Sequence, residues 1–178
     1  QALAVHPANK YEAEGGPGVL AIMNLLNQSS RPLEDRRRFM AALAFNYVIL
    51  GTDAHAKNYS LLLGAQGQVR LAPFYDIASL LPYGRRRRRD EKFAMRVGGH
   101  YRDYDLQPRH FESLARQCGY PAGELLEQIL VYAQELPNHA DVALAGQALD
   151  GLNNKILRQL VDALQARCTR LRRLFGAG

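Results

Sequence analysis

The feature that most restricts what this chain can fold into is a polar loop held between two apolar supports. Residues 45–50, FNYVIL, lead into residues 51–58, GTDAHAKN, and residues 59–63, YSLLL, lead out. Positions 53–58 hold an acid, an imidazole, an amine and a carboxamide: Asp53, His55, Lys57 and Asn58. Buried supports on both sides hold such a loop rigidly at the edge of the core, the usual seat of chemistry. Asp76, in the run FYDI, stands a short distance downstream.

Upstream, the sequence predicts a pedestal for the loop. Ser30 is placed to cap a helix, with Pro32 in its first turn and Glu34 and Asp35 at its positive end. Met40, Leu43, Ala44 and Tyr47 recur at helical spacing, so one face is buried, and Gly51 is expected to stop the helix. Downstream, residues 59–63 and 69–72 flank Gly64-Ala65-Gln66-Gly67, which predicts a β-hairpin. A hairpin returns the chain to its starting point. Asp76, just past the second strand, is therefore expected beside Asn58, just before the first.

The rest reads as mainly helical. Residues 1–11 are expected to be irregular, and Gly15-Gly16-Pro17-Gly18 predicts a turn and a helix start. That glycine cluster lacks both the spacing and the lysine of a phosphate loop. Residues 92–97 read as a strand, and helices are expected over 109–118, 121–135, 139–149 and 153–175. The last of these puts Leu157, Leu160, Val161, Leu164, Cys168 and Leu171 on one face, with arginines on a solvated face. The expected fold class is mainly α, an α+β chain with a small hairpin, in one domain over residues 1–178.

Charge bears on partners. A net charge of +6 and a pI near 9.5 favour anionic partners. The excess sits at 36–38, at the arginine run 85–89, and at Arg170, Arg172 and Arg173. Each block reads first as a solvated face or loop and second as a contact to nucleic acid. No apolar run approaches the ~20 residues a membrane span needs, and no signal peptide opens the chain; a cytoplasmic protein is expected. Cys118 and Cys168 lack metal spacing and read as two buried free thiols. The opening Gln1-Ala2-Leu3-Ala4-Val5 has no initiator Met and resembles the inside of a folded chain, so the sequence is expected to be a fragment.

Phosphoryl transfer needs a carboxylate to orient and deprotonate an attacking hydroxyl, metal ligands beside it, and cations against the phosphate charge. Asp53 and Asn58 have the D-x-x-x-x-N spacing of a kinase catalytic loop. Asp76 supplies a second carboxylate for Mg²⁺, which takes hard oxygen ligands and keeps several waters. His55 and Lys57 are placed to neutralise or orient a phosphate. A metal-hydrolase cluster has less support, because no second histidine pair lies nearby; His6, His100, His110 and His139 are scattered and read as surface or packing residues. No G-x-S-x-G supports a serine hydrolase.

The run FNYVILGTDAHAKNYSLLL followed by LAPFYDIAS resembles the C-terminal lobe of HipA-type serine/threonine kinases, the toxins of bacterial type II toxin–antitoxin pairs. The segments QALAVHPANKYEAEGGPG, KFAMRVGGHY and RHFESLARQCGYP extend the resemblance to about Pro121. It implies a protein-kinase-like C-terminal lobe, with ATP and Mg²⁺ as cofactors. Asp53 would be the catalytic base and Asn58 and Asp76 the metal ligands. His55, Ala56 and Lys57 would lie against the nucleotide phosphates, with Tyr75 beside Asp76 at the same site. The resemblance further implies a HipB-like DNA-binding antitoxin as partner, DNA contact through that complex, and a protein substrate, of which glutamyl-tRNA synthetase is the best-known in the family. The family's N-terminal lobe has no counterpart in the chain. The expectation is half of an active site, silent by itself; a catalytically inactive antitoxin- or DNA-binding module is the alternative.

Overall fold

The computed structural model describes residues 2–83, 91–146 and 154–176. The arginine run at 85–89 lies outside the described residues. The organising element is helix α2, Pro32–Val48, preceded by a shorter helix α1, Val19–Leu26. The hairpin follows as strands β1, Leu61–Leu63, and β2, Val69–Leu71, then a second antiparallel pair, β3, Lys92–Val97, and β4, His100–Arg102. Three helices complete the chain: α3, Pro108–Gln117, α4, Ala122–Ala145, and α5, Asn154–Phe175. The expected α+β class is thus found, mostly helical with two small antiparallel sheets. Among the described residues, no helix is long and apolar enough to cross a membrane.

Apolar burial sets the layout. Phe39, Met40, Ala44, Tyr47 and Val48 of α2 are buried against α1 and the later helices. Tyr47 packs on Phe111 of α3 at a ring-centroid distance of 4.6 Å and on Phe175 of α5 at 5.9 Å, and the two phenylalanines meet at 5.5 Å. Fully burying each such side chain is worth roughly 1.5–3 kcal/mol, so this cluster fixes the C-terminal end of α2 where the polar loop begins. Burial also pushes the Tyr47 phenol up to about 12. Val161, Leu164, Cys168, Leu171 and Phe175 form the inward stripe of α5. Cys118 and Cys168 are both free and buried.

Two local expectations are corrected. The residue preceding α2 is Arg31, and it makes no side-chain cap. Ser30 instead exchanges two bonds with β2, its N–H donating to the Val69 carbonyl at 2.7 Å and its Oγ accepting from the Val69 N–H at 2.9 Å. The expected helices over 121–135 and 139–149 are one helix, α4, which continues through Pro137 to Ala145, while residues 147–149 lie outside the described residues. A proline costs a helix one hydrogen bond, and α4 offsets that loss with its packing on α2, α3 and α5. Strand β4 is short and pairs by local return, with Val97 opposite His100, and its three residues carry no alternating apolar signal.

Within the arginine block 36–38, Arg36 and Arg38 are half-buried against internal partners, while Arg37 stays exposed as a solvated face requires. Arg36 donates to the carbonyls of Cys118 and Gly119 and to Asn27 Oδ1, and Arg37 pairs with Glu124 at 3.3 Å. Arg38 donates to the carbonyls of Leu71 at 2.9 Å and Ala72 at 3.3 Å. Asp35, fully buried, completes the attachment of the hairpin to α2: it accepts from Arg70 through both nitrogens of the fork and from the Leu71 N–H at 3.1 Å. Burial alone would raise the Asp35 carboxyl, but the Arg70 guanidinium and the Leu71 N–H hold it below the usual carboxylate range.

Candidate active site

Helix α2 ends by a backbone device whose residues differ from the sequence expectation. Leu50, not Gly51, takes the left-handed conformation, with φ 55°. The Gly51 N–H then reaches back to the Asn46 carbonyl at 2.7 Å, closing the last turn. Gly51 is needed for a different reason. A Cβ there would lie 2.5 Å from Asn46 Oδ1 and 3.1 Å from the Ala78 carbonyl oxygen, so the close approach of two other segments excludes a side chain.

From Gly51 the loop is held at several points. Strand β3 grips it through the Ala94 N–H, which donates to the Thr52 carbonyl at 2.9 Å. The chain following Asp76 returns to it as well, with the Leu80 N–H donating to the Leu50 carbonyl at 3.2 Å and the Ser79 hydroxyl to the Ile49 carbonyl. Inside the loop, the His55 N–H bonds the Asp53 carbonyl at 2.8 Å, and the Asn58 N–H bonds the His55 carbonyl at 2.9 Å, forming a single tight turn over Ala56–Asn58. His55 and Asn58 are buried, while Asp53 and Lys57 are exposed.

The hairpin closes the site as its topology requires. Leu61 pairs with Leu71 and Leu63 with Val69, and the Ala72 N–H donates to the Ser60 carbonyl, extending the pairing toward the loop. Asp76 therefore comes against Asn58. The Asn58 Nδ2 donates to Asp76 Oδ2 at 3.0 Å and to the Asp76 carbonyl at 3.3 Å, across 18 positions. Asp76 holds φ 55°, a left-handed conformation that a non-glycine residue keeps only where its surroundings impose it. Next to it, the Tyr75 hydroxyl bonds the Lys57 carbonyl at 2.6 Å and Ser60 Oγ at 2.7 Å. Ala54, Asn58, Tyr75 and Asp76 line one small recess, with Asn46 behind them.

Asp53 faces elsewhere. Its carboxylate accepts from the Tyr11 hydroxyl at 2.6 Å and lines an open cleft of about 400 Å³ shared with Glu14, Glu91, Lys92, Phe93 and Tyr101. The loop thus presents a carboxylate to one cleft and a carboxamide–carboxylate pair to an adjoining recess, with Ala54 between them. His55 Nδ1 is buried without a hydrogen-bond partner.

The donor chemistry fits a hard divalent cation. In the Asn58–Asp76 contact, the carboxamide uses its nitrogen and the carboxylate one oxygen, which leaves the Asn58 carbonyl oxygen and the second Asp76 oxygen as oxygen ligands of the type Mg²⁺ prefers. No group of three or more His, Cys, Asp and Glu side chains forms a metal cluster among the described residues. A cation held here would take its other ligands from water and phosphate.

Sequence reading missed two contributors. Tyr11 reaches Asp53 from 42 positions away, out of a segment with no periodic signal. Arg167, on what reads as the solvated face of α5, is buried and donates to the Val48 carbonyl at 2.8 Å and the Tyr47 carbonyl at 2.6 Å, while its fork holds Asp103 at 2.7 Å and 2.9 Å. It occupies the negative end of α2, immediately behind the loop. Burial would raise the Asp103 carboxyl, but Arg167 and Arg170 hold it below the usual carboxylate range.

Comparison with known proteins gives a consistent set. The family described as HipA-like C-terminal domain matches residues 1–140. A protein of Sinorhizobium fredii named as a candidate kinase is 36% identical over 120 residues, 67% of this chain and 28% of its own length. The serine/threonine-protein kinase toxin HipA of Shewanella oneidensis is 23% identical over an alignment of 182 residues, 96% of this chain and 41% of its own length. Among solved structures, a chain of the Shewanella oneidensis complex of HipA, HipB and operator DNA superposes with a TM-score of 0.82 at 20% identity, covering 99% of this chain and 44% of that one. That likeness concerns the fold. The chain spans less than half the length of each of these relatives.

Proposed function

Because this chain belongs to the family of HipA-like C-terminal domains, we propose that it is the C-terminal catalytic lobe of a serine/threonine protein kinase of HipA toxin type. The observation that carries this reading is the Asn58–Asp76 contact at 3.0 Å, made across a hairpin and beside a loop whose Asp53 side chain is exposed. The reaction is transfer of the ATP γ-phosphoryl group to a protein hydroxyl. Asp53 takes the hydroxyl proton as the oxygen attacks phosphorus, and its exposure to the open cleft suits an acceptor arriving from solvent. Asn58 and Asp76 would hold Mg²⁺, which supplies neutralising charge at the phosphates. His55 and Lys57 would lie against the phosphates, Lys57 with an exposed ammonium, and the Ala56 backbone lies in the turn between them. Tyr75 braces the turn through the Lys57 carbonyl.

Several partners follow from the same reading: a HipB-like antitoxin, DNA contacted through that complex, and a protein substrate of the aminoacyl-tRNA synthetase class. The setting is the cytoplasm. Residues 1–178 then form one lobe, and the 178-residue chain by itself binds ATP weakly and transfers no phosphate. The alternative, a catalytically silent module using its basic blocks on DNA, has less support, since Arg36 and Arg38 are engaged by internal carbonyls.

The test is substitution in the full-length protein, with ATP turnover as readout. Asp53→Asn and Asp76→Ala should each cost at least about a thousandfold in rate, as removal of other electrostatic catalytic groups does. Retained turnover in both variants would sink the kinase reading.

A further inference from the structure

Tyr11 stands between the polar loop and the molecular surface, in a segment that is built rather than loose. The N–H groups of Glu14 and Gly16 both donate to the Tyr11 carbonyl, at 3.0 and 2.8 Å. This turn is so tight that a Cβ on Gly16 would lie 2.7 Å from the carbonyl oxygens of both Asn9 and Tyr11. Glu12 pins the turn to β3: it accepts from the Arg96 backbone N–H at 2.7 Å and pairs with the Arg96 guanidinium at 2.8 Å. The same strand holds the loop through Ala94 and Thr52. One strand therefore fixes both ends of the bond between the Tyr11 hydroxyl and Asp53 Oδ1.

The ring of Tyr11 is fixed as well. It meets His55 edge-on at a centroid distance of 5.7 Å, and the Lys10 ammonium lies 4.7 Å from its centroid. A hydrogen bond between two freely moving surface groups orders little; here both partners are already placed, and the bond selects one carboxylate rotamer.

We infer that Tyr11 is a positioning residue for Asp53, occupying Oδ1 so that Oδ2 is turned to the acceptor hydroxyl. This rests on the assignment of Asp53 as the base. As the acceptor oxygen bonds to phosphorus and the bond from phosphorus to ADP breaks, the acceptor proton passes to Oδ2. The Tyr11 proton stays on the phenol. The acceptor enters through the cleft walled by Glu14, Phe93 and Tyr101, because Tyr11 closes the Oδ1 side.

The experiment is Tyr11→Phe in the full-length protein, which keeps the ring and removes only the hydroxyl. Turnover of γ-labelled ATP with Mg²⁺ is read as phosphate incorporated plus phosphate released, alongside ATP affinity by calorimetry and the Asp53 carboxyl resonance in ¹³Cγ-aspartate-labelled protein. A fall in kcat of about ten- to a hundredfold, with KM and Kd for ATP unchanged and the Asp53 resonance displaced, is expected. An unmoved resonance, a kcat within twofold of the parent, a raised kcat, or a loss confined to KM for ATP would each overturn the assignment. If Asp53→Asn is inactive while Tyr11→Phe is fully active, the positioning role fails and the kinase reading stands. If Asp53→Asn remains active, the assignment of Asp53 as base fails and the positioning role with it; if Asp76→Ala remains active as well, the kinase reading fails too.

Discussion

Arg167 donates its Nε–H to the carbonyl of Val48, the last residue of α2, at 2.8 Å and across 119 positions. Its fork simultaneously binds both oxygens of Asp103. A buried guanidinium thus satisfies the exposed carbonyls of the helix that carries the loop.

Replacing this group should be costly. Arg167→Met leaves Asp103 short of its main partner, the Val48 carbonyl without its guanidinium donor, and the Tyr47 carbonyl with backbone donors alone. A loss of about 3–5 kcal/mol is expected, as for other broken buried ion pairs, read as a lower urea midpoint. Arg167→Lys should recover little, because an ammonium cannot hold a carboxylate with a fork and reach two carbonyls as well.

Acid should unfasten two anchors together. Asp35 and Asp103 both have carboxyls held below the ordinary value of 3.8. A folded-state pKa lowered in this way contributes stability that is fully present above the unfolded value and is lost as pH falls through the folded one. Urea midpoints measured downward from pH 5 should therefore decline below about pH 4, and Asp103→Asn should flatten that decline. An equal slope in parent and variant would exclude Asp103 as a source.

Gly51→Ala is expected to reach the site through Asn46. The new Cβ meets Asn46 Oδ1 at 2.5 Å, and Asn46 is itself buried, bonded to the Ala42 carbonyl, and part of the recess shared by Asn58 and Asp76. Overpacking of this kind costs about 1–3 kcal/mol. In the full-length protein, Mg²⁺-dependent ATP affinity should fall along with the melting temperature.

Asp35→Ala tests the other end of α2. It strips the Leu71 N–H of its acceptor and leaves Arg70 with Glu34 alone, and an unsatisfied buried donor costs about 1–3 kcal/mol. Hydrogen exchange should speed up over residues 59–72 well before it does in α4 and α5. Uniform acceleration would place the damage in the core instead.

What was legible in the sequence is what local spacing controls. The hairpin, its glycine-containing turn and the buried stripe of α2 each write a signal within a few neighbouring positions, and together they bring Asp76 to Asn58. The tyrosine at 11 and the arginine at 167 write none. Each acts on a partner 42 or 119 positions away, and a polar side chain carries no periodicity that distinguishes an inward reach from solvent exposure. The triplet Arg36-Arg37-Arg38 shows the same blindness from the opposite side. Its charge density reads as surface, yet backbone carbonyls of other segments claim Arg36 and Arg38, while Arg37 stays exposed. Gly51 was legible as a stop, but its reason, the approach of Asn46 and Ala78, exists only in three dimensions.

The Arg167–Val48 bond also orders events in time. During synthesis at about 5–20 residues per second, the arginine is added on the order of ten seconds after the carbonyl it must bind. Throughout that interval the polar loop exists, but the pedestal beneath it has an open end. A growing chain can therefore assemble its hairpin early, while the end of the helix that carries the loop is completed only more than a hundred codons later.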